Sequence, residues 1–209
     1  MLRTIQQEFV HWKDASSRRP LLLRGARQVG KTFAVRQFAQ AHFANCIELN
    51  FELSPDLPGI FSTLDPRAII HTVALTRNVT ITPGQTLVFL DEIQECPRAI
   101  MALRYFHEQM PDLHVIGAGS LLDFTLRSED FRMPVGRIQY LFLRPLSFLE
   151  FLTAVGERTL TEYLSTLMLT TAVPEAVHGK LLSLIRDYLL TGGMPAVVGE
   201  YLRVPLQTT

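Results

Sequence analysis

Apolar residues recur at Leu2, Ile5, Phe9 and Trp12, the spacing of an amphipathic helix over 2–13, and Ser16-Ser17-Arg18-Arg19-Pro20 then reads as a turn. The chain enters the apolar run Leu21-Leu22-Leu23, passes through Gly25 to Thr32, and resumes a helical segment from Phe33 to Ala39. Over 45–53 apolar and polar residues alternate, which predicts a half-exposed strand near a sheet edge. A Pro- and Asp-containing stretch, 54–59, leads to helices around 60–64 and 66–75, and 80–85 returns the chain to the sheet. Thr86-Leu87-Val88-Phe89-Leu90 is apolar throughout and ends in Asp91-Glu92, the pattern of a strand buried on both faces of a parallel sheet. After a helix over 97–109 comes a second short apolar strand, Leu113 to Ser120. Residues 121–130 read as helix or loop, and Met133 to Arg137 as an exposed approach to the strand Ile138 to Leu143. Helices over 147–155, 159–169 and 174–190 follow, then the loop Thr191-Gly192-Gly193-Met194-Pro195.

Short buried strands alternating with helices predict an α/β architecture with a mostly parallel sheet. With 209 residues and 23.7 kDa, the chain is long enough for one substantial core and a small appended lid. We expect the core over 1–145, leading helix included, and a helical lid over 146–209. Hydrophobic residues at 47%, charged residues at 19% and a mean hydropathy of +0.17 exclude global disorder. Twenty basic residues balance twenty acidic ones, so the total charge does not indicate a nucleic-acid partner, although it does not exclude a local patch. Cys46 and Cys96 fit no metal-ligand spacing and read as reduced packing residues of a cytoplasmic protein. No segment approaches the roughly 20 apolar residues that span a bilayer, and the polar start does not read as a signal peptide.

The candidate chemistry lies where the first strand hands over to a helix. Gly25-Ala26-Arg27-Gln28-Val29-Gly30-Lys31-Thr32 fits G-x-x-x-x-G-K-[ST] at every fixed position. A backbone that wraps a polyphosphate must bring its N–H groups to the oxygens, and glycine permits the approach and the dihedrals. Lys31 supplies a point charge at the start of a helix whose exposed amides and dipole attract anions. Thr32 offers a hydroxyl to Mg²⁺. At the carboxyl end of the second anchor strand, Asp91 suits the water shell of Mg²⁺, and Glu92, turned the other way, suits polarising an attacking water. Ser120, ending a third strand, is a candidate to orient that water.

The chain resembles the predicted AAA+ superfamily ATPases of prokaryotes that carry a C-terminal domain of unknown function. The likeness rests on the loop above, Leu90-Asp91-Glu92-Ile93-Gln94-Glu95-Cys96-Pro97, Gly119-Ser120-Leu121-Leu122, Val135-Gly136-Arg137, Arg144 to Leu152 and Gly192-Gly193-Met194-Pro195. It implies a P-loop NTPase, AAA+-like three-layer sandwich with an additional strand between the phosphate-loop strand and the Asp91 strand, followed by a small helical lid. It also implies that Arg137 is a sensor or arginine finger for the γ-phosphate, in cis or across a subunit interface. Two departures stand out. Ala118 occupies a place where many relatives carry Thr or Ser, so Ser120 carries the sensor role by itself, and relatives run well beyond this length, which makes 146–209 read as the start of a truncated C-terminal region.

The resulting expectation is Mg-dependent ATP binding and hydrolysis, with ATP/ADP as ligands, an unknown protein partner, self-association left open and no membrane contact. The alternative is a nucleotide-dependent switch with little or no hydrolysis that docks through its apolar C-terminal helices. A small-molecule kinase fits less well, because the adjacent Asp91 and Glu92 favour water as the acceptor. ATP over GTP follows from the resemblance and from the lack of an N-K-x-D motif.

Overall fold

The structure, a computed structural model, describes residues 3–120, 136–168 and 170–203. The chain divides into two compact units, one formed by Ile5–Leu143 and the other by Met1–Thr4 with Arg144–Thr209.

In the larger unit, strands β1 (Leu21–Arg24), β2 (Asn45–Asn50), β3 (Thr86–Asp91), β4 (His114–Gly119) and β5 (Gln139–Phe142) form a 5-stranded sheet in the order β2-β3-β4-β1-β5. Every recorded pairing is parallel. β4 lies between β1 and β3, which is the additional strand the resemblance implied. β2 takes the edge, where its alternating pattern belongs, and it ends at Asn50, earlier than the alternation over 45–53 suggests.

Alternation along the strands sorts their side chains onto two faces. Leu22, Ile47, Leu49, Val88, Leu90 and Val115 pack with residues of α3 (Leu57–Ile60), α4 (Pro66–Arg77) and α5 (Pro97–Gln109) in one buried cluster. On the other face lie α1 (Ile5–Asp14) and α2 (Lys31–His42): Trp12 meets His114 edge-on at 5.7 Å, and Phe9 stacks obliquely on Phe38 at 5.1 Å. Helices on both faces of a parallel sheet give three layers, the expected α/β sandwich. Ile5, Phe9 and Trp12 are all buried, and the Trp12 indole donates to the Arg19 carbonyl at 2.7 Å, so the apolar stripe of α1 is consumed in packing. His114 sits among Trp12 and Phe43, and burial, then the nearby Arg18, holds its pKa down at about 4.

Helix boundaries follow local chemistry. α4 begins at Pro66 behind an Asp65 side chain that accepts from the Arg67 amide, and it ends at Asn78 in the left-handed region. α3 falls at Leu57–Ile60, ahead of the expected 60–64. The expectations for 121–130 and for Met133 to Val135 lie outside the described residues.

The second unit is helical: α6 (Phe148–Ala154), α7 (Arg158–Thr166), α8 (Glu175–Thr191) and α9 (Pro195–Arg203). Ser147 and Glu150 form a reciprocal capping box at the start of α6. The Glu150 carboxylate also accepts from Arg3 Nε at 3.2 Å and from the Thr4 amide at 2.8 Å, both near the amino terminus. Burial raises its pKa, but the Ser147 and Thr4 amides and the Arg3 charge outweigh that and hold it low. Leu146, Phe151 and Val198 form the apolar centre with Tyr188 and Tyr201. Gly193, at φ 67°, brings its carbonyl to the Leu146 amide at 2.7 Å, and a Cβ there would meet the Leu146 backbone. α9 was not expected beyond the Gly-Gly-Met-Pro loop; Pro195 at its start fits a first helical turn.

Candidate functional site

The carboxyl ends of the parallel strands gather the sequence candidates other than Arg137. Arg24 closes β1, the loop runs from Gly25 to Gly30, and Lys31 opens α2. The registers Asn50↔Asp91, Asp91↔Ala118 and Arg24↔Gly119 align the strand ends, so Ser120 emerges between the phosphate loop and Asp91.

The loop conformation demands its residue types. Gly30 sits at φ 90° directly before α2, whose amino terminus no side chain caps. The leading amides of α2 are therefore left for an anion. Gln28 also adopts positive φ, at 66°, a conformation that costs a non-glycine residue on the order of 1 kcal/mol. Val29 is fully buried and pins the loop to the core. Gly25 meets a constraint that phosphate chemistry alone does not supply: a Cβ there would overlap the Leu143 carbonyl oxygen. Arg27 reaches outward and pairs with Glu52 at 3.6 Å.

Lys31 is buried, and its ammonium donates to the carbonyls of Gly25 at 3.0 Å and Ala26 at 2.9 Å. Burial lowers its pKa, opposed by the charges of Glu92 and Asp91. The Thr32 hydroxyl donates to the Asp91 carboxylate at 3.0 Å. Asp91 is itself buried, which raises its pKa against the lowering effect of the Thr32 bond.

Asn50 completes this cluster and was not singled out in the sequence. Its Nδ2 donates to Asp91 Oδ2 at 3.2 Å, while its Oδ1 accepts from the amides of Glu52 and Leu53, each at 3.0 Å. Its one readable signal is its place as a polar residue closing an alternating edge strand.

Glu92 does not continue the strand. It adopts φ 49° and ψ 45°, so the simple alternation expected for it does not set its direction. Its carboxylate accepts from Gln94 Nε2 at 2.7 Å across the 3-10 turn Ile93–Glu95.

Arg137 lies elsewhere. The Gln139 amide bonds to the Pro20 carbonyl, and Leu21 pairs with Gln139, so Arg137 precedes the amino ends of the strands. A strand of this length puts about 13 Å between those ends and the phosphate loop. Its guanidinium pairs with Glu108 at 3.6 Å. Arg137 is thus the one candidate that stands apart from the phosphate loop and is engaged with Glu108.

A half-buried hydroxyl bonded to a buried carboxylate, beside an uncapped helix start and a buried ammonium, suits a polyphosphate with an octahedral, oxygen-seeking cation. Asp91 Oδ1 and Oδ2 and Thr32 Oγ1 are the oxygen donors on hand. Among the described residues, no helix is long and apolar enough to cross a membrane.

Solved structures similar to this chain include two whose likeness is one of fold only. The Aeropyrum pernix ORC2 protein, solved as ADPNP-ADP complexes, is 17% identical with a TM-score of 0.47, over 77% of this chain and 52% of that one. The PCH-2 protein of C. elegans is 13% identical with a TM-score of 0.49, over 96% of this chain and 60% of that one. This chain thus spans less than two thirds of either protein's length. No curated protein matches it. A family model described as an AAA domain matches residues 17–152, from the turn before β1 into α6. With that match over most of its length, and with the phosphate loop, the inserted β4 and the clustered strand ends in place, the chain belongs to the AAA-domain family of P-loop nucleotide-binding proteins.

Proposed function

We propose that the chain is a Mg²⁺-dependent ATPase of the prokaryotic AAA+ group that carries a C-terminal domain of unknown function. The observation that carries this reading is the Thr32–Asp91 hydrogen bond at the uncapped start of α2, with the Lys31 ammonium on the same loop. Lys31 and the amides of Gly25, Ala26, Arg27, Gln28, Val29, Gly30 and Thr32 hold the phosphates of ATP. Thr32 and Asp91 hold Mg²⁺, which when bound neutralises charge on the β- and γ-phosphates. Glu92 takes a proton from the attacking water and Ser120 helps orient it. The new bond forms to the γ-phosphorus, the bond to the β–γ bridging oxygen breaks, and ADP leaves with that electron pair.

Arg137 serves a neighbouring subunit's γ-phosphate in this scheme. Residues from 146 onward act as the helical lid and report the nucleotide state to a protein partner. Supporting a docking role, α8 exposes Leu182, Ile185 and Leu189 at helical spacing.

Phosphate release measured with Mg²⁺ over a range of protein concentrations tests the reading. Wild type should turn over ATP, with a rate per chain that rises with concentration, and Glu92→Gln should bind ATP and lose steady-state turnover, leaving only a slow residual release measurable in a single turnover. Tight ATP retention without release by wild type would assign the chain to the nucleotide-switch class instead. Unaltered release from Glu92→Gln would remove that residue from the chemistry.

A further inference from the structure

We infer that Gln94 is the positioning residue that aims the Glu92 carboxylate, an inference that rests on Glu92 being the base proposed above. Three observations converge on it. Glu92 leaves β3 in a left-handed conformation, so strand geometry does not direct its side chain. Its carboxylate takes a short bond, 2.7 Å, from Gln94 Nε2 two residues on. The carbonyl oxygen of the same Gln94 amide is buried and has no hydrogen-bond partner among the described residues.

That orphaned oxygen carries the argument. A side-chain amide can turn over and exchange its oxygen for its nitrogen. Here the exchange would set the amide oxygen against the Glu92 carboxylate, acceptor against acceptor. Gln94 therefore keeps its donor on Glu92 and leaves its own oxygen unsatisfied, an arrangement that works against stability. A residue retained for packing alone would gain by becoming apolar. Orienting Glu92 accounts for the cost: with Oε2 engaged by Gln94, Oε1 has its lone pairs available for the proton of a water. The 3-10 turn holds the two side chains on one short segment, and Ile93 between them is fully buried and anchors it.

The test compares Gln94→Met, of similar length and without a donor, with Gln94→Asn, which stays polar but is one methylene too short to reach. Steady-state ATP turnover should show kcat lowered about tenfold in both, with KM for ATP within about twofold of wild type, since ATP contacts are untouched. Thermal unfolding of Gln94→Met should match or exceed wild type, because an unsatisfied buried acceptor is removed. Single-turnover phosphate release should then show that Gln94→Met adds no further loss in a Glu92→Gln background. Wild-type kcat in Gln94→Met overturns the inference. So does an undiminished tenfold loss in the Glu92→Gln background, which would mean that Gln94 acts independently of Glu92. If Glu92→Gln alone turns over normally, the base assignment falls and this inference falls with it, a result distinct from the other two.

Discussion

The Thr32 hydroxyl lies 3.0 Å from the Asp91 carboxylate although the two residues stand 59 positions apart. The contact exists because β4 separates their strands in the sheet and because β1 and β3 both end at the same edge. It draws the phosphate loop and the buried acid into one site.

Lys31 should prove dispensable for folding and essential for nucleotide. Burying an ammonium costs free energy, which lowers its pKa, and among the described residues its hydrogen bonds go to loop carbonyls. Lys31→Ala should unfold no more easily than wild type without nucleotide. It should also lose the ATP-dependent rise in unfolding free energy, which for wild type at 100-fold excess over Kd is about 2.7 kcal/mol. Calorimetry with and without Mg-ATP reads both.

Asn50→Ala should lower the apparent affinity for Mg²⁺ in turnover. Asn50 fixes one Asp91 oxygen and caps two backbone amides beyond β2. Losing an orienting partner of a metal-binding carboxylate costs about 10- to 100-fold in metal affinity. A Mg²⁺ titration of phosphate release at saturating ATP should shift to higher concentration, while Asn50→Asp should repel Asp91 and do worse.

Gly25→Ala should destabilise the fold itself. The added methyl collides with the Leu143 backbone, which cannot rotate away as a flexible side chain would. Overpacking of this kind costs about 1–3 kcal/mol or more. Urea unfolding without nucleotide should show it, which separates this effect from any loss of phosphate binding.

Acid should unfold the larger unit partly through His114. Its folded pKa of about 4 lies below the ordinary 6.5, so between those values the unfolded chain binds more protons and stability falls as pH drops. Above pH 6.5 the residue is neutral in both states and contributes no pH dependence. The loss, complete only below pH 4, is on the order of 3 kcal/mol. His114→Gln should flatten unfolding free energy against pH across that window, and an unchanged slope would show that other groups carry the acid limb.

Strand β3, its terminal acid and the loop before α2 were legible because each is a local pattern: an uninterrupted apolar run, two acids, two glycines with a lysine. What the sequence concealed depends on three-dimensional pairing. Asn50 meets Asp91 only because β2 and β3 are in register, 41 residues apart. The left-handed turn at Glu92 overrides strand alternation, so the direction expected for that side chain does not follow from its position. Gly25 reads as a phosphate-loop glycine, yet its lack of a side chain also makes room for the Leu143 backbone just past β5. Arg137 follows a glycine and precedes β5, which places it in sequence near a sensor but in space at the opposite end of a parallel strand. α9 lies beyond a Gly-Gly break strong enough to hide the helix that follows.

The helical unit draws on both ends of the chain. Arg3 and Thr4 supply the countercharge and three donors for the buried Glu150 carboxylate, to which the Ser147 amide also donates. A fragment cut to begin at Arg144 would thus keep every helix of that unit while stranding a buried anion. Fusing a bulky tag close to residue 3 would disturb a region that linear inspection assigns to the far end of the molecule.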